Sequence, residues 1–337
     1  MLWRRKIPTT EKPRLKRQKT LIIGASGFVG KNLVLQYTQR SDVNIMVRPS
    51  SNIELFKNNP RVNILYGDLA KNTGIAEALG GIDIVIHCAA TTMGRSFWEF
   101  YRTNTQGTAH LIDAMLSQNV RKMIYVSSHA ACGPSATDNP SQEHDPKNPI
   151  SFYGRTKHLA EKMIAQSGLD FTIIRPVSVY GPYDKEILTY VKILNQGICP
   201  VVGFGEKYIN VIYVKDLVDL IIKTIEQNHF TGNTYFVNDG QCYSLDSIMD
   251  TIARTLNKRI VKVRVPTPLA LFIGLLNDVF VPPNKRLVTR DKVRELACRY
   301  WVCSSENVSR AIGFNPRYTF EQGIVETIQW YRNQGHV

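Results

Sequence analysis

From Thr20 onward, apolar residues fall into short runs that alternate with segments of helical period. Thr20 to Ile23 predicts a strand, which ends in GASGFVG. Phe28 to Tyr37 predicts a helix, because Val29, Leu33, Val34 and Tyr37 recur at helical spacing. Strands follow at Val43 to Val47 and Val62 to Tyr66, and Ile82 to His87 is a continuous apolar run, as in a strand buried on both faces. A long helix is predicted from about Phe97 to Ser117, a strand at Lys122 to Ser127, a helix at Ser151 to Ala165 and a strand at Phe171 to Ile174. Strands alternating with helices predict a doubly wound α/β fold, with a parallel sheet covered on both faces.

Beyond Pro176 the alternation loosens. Gly181, Pro182, Pro200, Gly203 and Gly205 punctuate it. Strands at Val211 to Val214 and Thr234 to Val237 flank a helix at Asp216 to Gln227, and further helices are predicted at Ser244 to Leu256, Pro268 to Leu276 and Tyr318 to Arg332. The expected organisation is an arm over residues 1–19 and a nucleotide-binding domain over 20–180, to which 206–240 partly returns. Residues 181–205 and 241–337 form a smaller, mostly helical substrate lobe over the carboxyl edge of the sheet, where open α/β sheets bind ligands.

Composition narrows the classes. The 337 residues suffice for one large core, and none of their apolar runs reaches the roughly 20 residues of a spanning helix. No apolar h-region marks a secretory signal. Six cysteines include no CxxC pair, which excludes a zinc ribbon or thioredoxin motif and predicts reduced thiols in a cytoplasmic protein; no metal site is predicted. The net charge is +14, and half of it sits in the first twenty residues, MLWRRKIPTTEKPRLKRQKT. Two prolines and the absence of an apolar period predict a disordered arm. Such an arm is either a solvated tail or a polybasic contact with an anionic partner; a peripheral membrane contact stays open, and no specific nucleic acid is predicted.

The glycines of GASGFVG carry the first candidate chemistry. Gly24 allows the tight turn, Gly27 lets a pyrophosphate approach the backbone, and Gly30 lets the helix pack on the sheet. The helix amino terminus attracts phosphate, so Ser26, Phe28 and Val29 belong to the same cradle. NAD sites place an acid after the second strand, whereas this chain reads Val47-Arg48-Pro49-Ser50-Ser51. A guanidinium there can pair a 2′-phosphate, so Arg48 predicts NADP(H) in preference to NAD. Asp68 and Leu69 are placed to meet the adenine.

Tyr153 and Lys157 lie one helical turn apart, behind a strand that ends in Ser127 and Ser128. A phenol near its ordinary value of about 10 is a poor base at neutral pH, and an adjacent ammonium and an oxidised nicotinamide would lower it. The expectation is that Tyr153 exchanges a proton with a substrate oxygen, Ser128 holds that oxygen and Lys157 binds the nicotinamide ribose. His129 and Cys132 lie nearby, but a structural histidine and an inert thiol are the simpler readings.

GASGFVG, GDL at Gly67, HCAA at His87, NTQGT at Asn104, VSSHAACG at Val126, YGRTK at Tyr153, RPVSVYGP at Arg175 and VIYVKDLVDLI at Val211 occur in an order that resembles the extended short-chain dehydrogenase/reductases of the NAD-dependent epimerase/dehydratase family. The resemblance runs from about Thr20 to Tyr331 and implies a Rossmann-type domain. It implies a Ser128–Tyr153–Lys157 trio supported by Asn104, and cofactor contacts at Ala89 and around Pro176, Val177 and Ser178. It also implies a homodimer packed through the two long helices. Ser178 stands where sugar-nucleotide members usually carry Asn, and His129 and Ala130 replace the acidic pair of the 4,6-dehydratases. VRPSS and the carboxyl-terminal segment more resemble the dihydroflavonol reductase and 3β-hydroxysteroid dehydrogenase branch. An oxidoreductase acting on an alcohol or ketone is therefore expected. A nucleotide-sugar epimerase and a non-catalytic cofactor-binding regulator or scaffold are the alternatives.

Overall fold

The computed structural model describes residues 18–281 and 289–337; most of the basic arm lies outside the described residues. Its centre is a seven-stranded parallel sheet. The strands are β1 (Thr20–Ile23), β2 (Val43–Val47), β3 (Val62–Tyr66), β4 (Ile84–His87), β5 (Lys122–Val126), β6 (Asp170–Pro176) and β11 (Asn233–Val237), in the order β11-β6-β5-β4-β1-β2-β3. Side chains alternate across the strands and build two cores. Ile22, Ile45, Ile86 and Ile124 enter one; Leu21, Ile23, Met46, Val85 and Met123 enter the other. Burial on both faces explains why these strands read as unbroken apolar runs.

Helices cover both faces. They include α1 (Phe28–Tyr37), α2 (Ile75–Ala78), α3 (Phe97–Tyr101), α4 (Gly107–Ser117), α5 (Phe152–Gln166) and α7 (Val214–Glu226). The stretch predicted as one helix over Phe97–Ser117 is interrupted by a wide π turn at Arg102–Gln106, which joins α3 to α4. Strand order reverses between β1 and β4, which opens a crevice at their carboxyl ends.

The carboxyl-terminal portion is mostly helical: α6 (Lys185–Asn195), α8 (Leu245–Thr255), α9 (Thr267–Phe280), α10 (Arg290–Ala297), α11 (Glu306–Ile312) and α12 (Phe320–Asn333). It also holds strands that the hydrophobic pattern did not predict. β8 (Ile198–Val202) pairs in parallel with β13 (Val261–Val265), and β7 (Ser178–Tyr180) pairs in parallel with the predicted strand β10 (Val211–Tyr213). A third small sheet joins β12 (Tyr243–Ser244), β9 (Tyr208–Ile209) and β14 (Tyr300–Trp301).

Candidate active site

The sequence-predicted residues gather along the carboxyl ends of β1 to β6. Gly24 ends β1 with a φ of +89°. A Cβ there would lie 2.5 Å from the Ala89 nitrogen, so the β1 turn and the residue two beyond β4 touch backbone to backbone. Gly27 donates its N–H to the Gly24 carbonyl at 3.0 Å and leads into α1, which no side chain caps. A Cβ on Gly27 would meet nothing nearer than that carbonyl at 3.2 Å, so its outer side is open. An uncapped helix start with an open backbone beside it suits a diphosphate. Phe28 and Val29 form the first turn of α1, and Gly30 is buried against the turn itself.

Ser26 approaches Ser51 with hydroxyls 3.4 Å apart, and Arg48 is exposed directly after β2. At the end of β3, Asp68 turns the chain by accepting the Ala70 N–H at 2.9 Å. Leu69 is buried, and its carbonyl accepts a hydrogen bond from Nδ1 of His110 at 2.7 Å, which fixes that tautomer. Pro176 and Val177 are buried at the end of β6, while Ser178 is exposed. The donor set therefore fits a dinucleotide: backbone N–H groups for the diphosphate, with hydroxyls and a guanidinium for the ribose beyond.

Ser128 follows β5 and caps the short 3-10 turn His129–Ala131, its hydroxyl accepting the Ala130 N–H at 3.1 Å. The same side chain interacts with the Tyr153 phenol, and that interaction favours the phenolate. Burial and then the Glu295 carboxylate outweigh it, so the phenol is held above its ordinary value. Lys157 is completely buried. Its Nζ donates to the Val126 carbonyl at 2.7 Å and lies 4.1 Å from the centre of the Tyr125 ring. Burial lowers its pKa from 10.5 to about 7, while Glu161 and Cys88 oppose the fall. The cation that lowers the phenol is Lys292 of α10, and it is outweighed.

Asn104 sits inside the π turn and is 1% exposed. Its Oδ1 accepts the Thr91 N–H at 2.7 Å, and its Nδ2 donates to the Thr91 carbonyl and to the Thr156 hydroxyl, both at 3.1 Å. Asn104 therefore ties the loop after β4 to the helix that carries Tyr153 and Lys157. A π turn commonly marks a functional position.

Two features of the site escaped the sequence. Ser127 donates to Glu161 at 2.5 Å, and Arg175 donates to both Glu161 oxygens at 2.9 and 2.6 Å. Glu161 lies one turn beyond Lys157, a signal that was legible, but its burial was not. Asp291 of α10 accepts the Phe152 N–H at 2.7 and 3.0 Å and the Tyr153 N–H at 3.3 Å. It places a carboxylate at the positive end of α5 from 138 positions away in sequence, which no local pattern announces. Burial keeps His129 neutral, with a pKa near 3, its ring set edge-on against Phe236 and Trp301. Burial also pushes the Cys132 thiol up to about 11.

The sequence model of the NAD dependent epimerase/dehydratase family matches residues 20–237. The chain belongs to this family. As a member it is an NAD(P)-dependent enzyme of the oxidoreductase and epimerase class. It is 27% identical to the N-acetyl-alpha-D-glucosaminyl-diphospho-ditrans,octacis-undecaprenol 4-epimerase of Escherichia coli O157:H7, over 92% of this chain and 94% of the relative. It is 26% identical to the decarboxylating sterol-4-alpha-carboxylate 3-dehydrogenase of Mus musculus, over 94% and 92%. The fold is shared with the dTDP-glucose 4,6-dehydratase of Bacillus anthracis solved with NAD, at TM-score 0.75 and 21% identity, over 94% of this chain and 97% of that one.

Proposed function

We propose that this family member is an NADP(H)-preferring oxidoreductase that interconverts an alcohol and a ketone, with Tyr153 as proton donor and acceptor, Ser128 as the holder of the substrate oxygen and Lys157 at the ribose. The observation that carries the reading is the approach of the Ser128 and Tyr153 side chains at the carboxyl edge of the sheet, with Lys157 buried one turn behind. A bound dinucleotide supplies or accepts the hydride. The first turn of α1 binds its diphosphate, and Arg48 with Ser26 and Ser51 receives a 2′-phosphate. The phenol is protonated at neutral pH, so Tyr153 starts as the donor that a ketone oxygen needs, and Ser128 and Lys292 oppose the burial and Glu295 that weaken it as an acid. The similarity to a sterol dehydrogenase supports an apolar substrate.

A second reading, a nucleotide-sugar epimerase with tightly held NAD, has its own support. A cavity of about 110 Å³ beside Phe152 is lined by Arg95, Arg290 and Arg294 with Asp278 and Asp291, and guanidiniums suit a diphosphate. The similarity to a 4-epimerase favours the same reading. A homodimer through the α3–α4 and α5 helices is supported by Trp98, which is 64% exposed on α3.

Tyr153→Phe should reduce NADPH-dependent turnover of a carbonyl panel by about 10³-fold while leaving NADPH affinity, read by nucleotide fluorescence, nearly unchanged. Unaltered turnover would refute the assignment. Arg48→Ala should lower the ratio of NADPH to NADH affinity by about tenfold, the worth of a charge-assisted contact of about 1.4 kcal/mol. An unchanged ratio would remove Arg48 from the cofactor site.

A further inference from the structure

α9 is the most apolar helix of the carboxyl-terminal portion, yet it hides little of itself. Its buried residues are Ala270, Gly274 and Asp278, spaced four apart on one stripe. Gly274 permits close contact with α10, since a Cβ there would lie 2.9 Å from the Arg290 nitrogen. The opposite stripe exposes Leu269, Phe272, Ile273, Leu276, Val279 and Phe280, with Phe272 at 55% and Phe280 at 76%. β13 runs into this helix through Pro266, and its Val261 and Val263 are exposed as well. Of the fifteen exposed large hydrophobics among the described residues, ten lie between Ile198 and Phe280. Soluble surfaces scatter such residues singly; a contiguous stripe marks a contact.

Charge identifies the partner. Residues 258–300 carry ten Lys or Arg against Asp278, Asp291 and Glu295, a net +7 along the sequence; Lys262, Arg264 and Lys292 are ion-paired with Asp246, Asp250 and Glu186 from outside that span, whereas Lys258, Arg259, Arg294 and Arg299 are exposed. The three acids are turned inward: Asp278 pairs with Arg290, Asp291 caps α5, and Glu295 is only 16% exposed. The first twenty residues carry the other +7 of the chain's excess, and everything else balances. An apolar stripe about 21 Å long, flanked along the chain by the exposed bases Lys258, Arg259, Arg294 and Arg299, has the form of a helix that lies in a lipid interface. A second copy of the same surface would bring +7 against +7. No helix among the described residues is long and apolar enough to cross a membrane, so α9 would lie on a bilayer rather than span it.

We propose that the exposed stripe of α9, continued by the outer face of β13, docks the protein on an anionic bilayer surface. The contact is independent of the substrate read for Tyr153. It is also close to the site, because α9 packs on α10 and Asp291 of α10 holds the amino terminus of the catalytic helix.

The test is co-sedimentation of the full chain with phosphatidylglycerol-containing vesicles and with pure phosphatidylcholine vesicles. Binding at least tenfold stronger to the anionic vesicles is expected, and Phe272→Ser with Phe280→Ser should weaken it at least tenfold while the thermal transition is kept. Binding unchanged by this pair but lost when the basic residues of the first twenty are neutralised would overturn the proposal in favour of the arm. Failure of the wild-type chain to bind, with the pair instead dissolving a dimer in sedimentation velocity, would overturn it in favour of a second copy. Should the double variant not fold, Phe280→Trp gives a conservative readout. Quenching of the new indole by brominated lipid is expected, and its absence on sedimented protein would overturn the proposal.

Discussion

Two helices of similar length invert the usual relation between hydropathy and burial. α5 spans fifteen residues and contains Arg155, Lys157, His158, Glu161 and Lys162, yet Lys157 is completely buried and Glu161 nearly so. α9 spans fourteen residues with one charge, Asp278, and that single charge is buried while its aliphatic and aromatic residues face outward. Buried charges require partners, and α5 has them: Glu161 receives Arg175 and Ser127, and Lys157 reaches the Val126 carbonyl. The comparison teaches that departures from the apolar-inside rule point to function. In α5 they fix the helix that carries the proposed Tyr153 and Lys157 pair, and in α9 they leave a surface that water does not favour.

The largest effect expected from breaking this contrast is on stability. Glu161→Ala leaves the Arg175 guanidinium alone in the core and should cost about 3–5 kcal/mol in chemical denaturation. The corresponding change on α9, Leu276→Ser, should shift stability by no more than about 0.5 kcal/mol. Similar losses at both positions would erase the distinction between the helices.

A smaller effect should follow pH. Lys157 titrates near 7 in the folded chain against 10.5 when free. Between these values the unfolded chain holds a proton that the folded chain has released, so stability rises with pH across that window. Below about 7 the full cost of burying the ammonium is present. The slope approaches about 1.4 kcal/mol per pH unit for one proton, and Lys157→Met should flatten it. Parallel stability curves for the two proteins would show that Lys157 is charged throughout.

The sheet was legible because its strands are buried on both faces and read as continuous runs; Ile82–His87 was misjudged only at its start. β8 and β13 were not legible. ICPVV alternates exposed and buried positions around Pro200, VKVRV holds only exposed and half-buried ones with Val261 and Val263 facing outward, and the two pair with each other across 63 positions of sequence. The glycine turn and the proposed trio rest on local patterns, a strand–turn–helix and a spacing of four on α5. The contacts that hold the trio were not legible, since Asp291 comes from the far lobe and Asn104 acts through a helix whose extra turn leaves no mark on a hydrophobic period. Glu295 and Lys292, which act on the Tyr153 phenol, are beyond local reading for the same reason: they belong to α10.

The π turn at Arg102–Gln106 also sets the phase of what precedes it. An added residue rotates the upstream helix by about 100° relative to a regular one. Phe97 is thereby aimed at Phe152, ring centres 6.2 Å apart, while Thr105 within the irregularity and Thr108 beyond it stay turned inward. Excising a single residue there would swing the whole aromatic cluster of Phe97, Trp98 and Tyr101 off its seat. The chain has in effect been cut to length at this point: the irregularity is the joint through which one rod serves two differently angled walls.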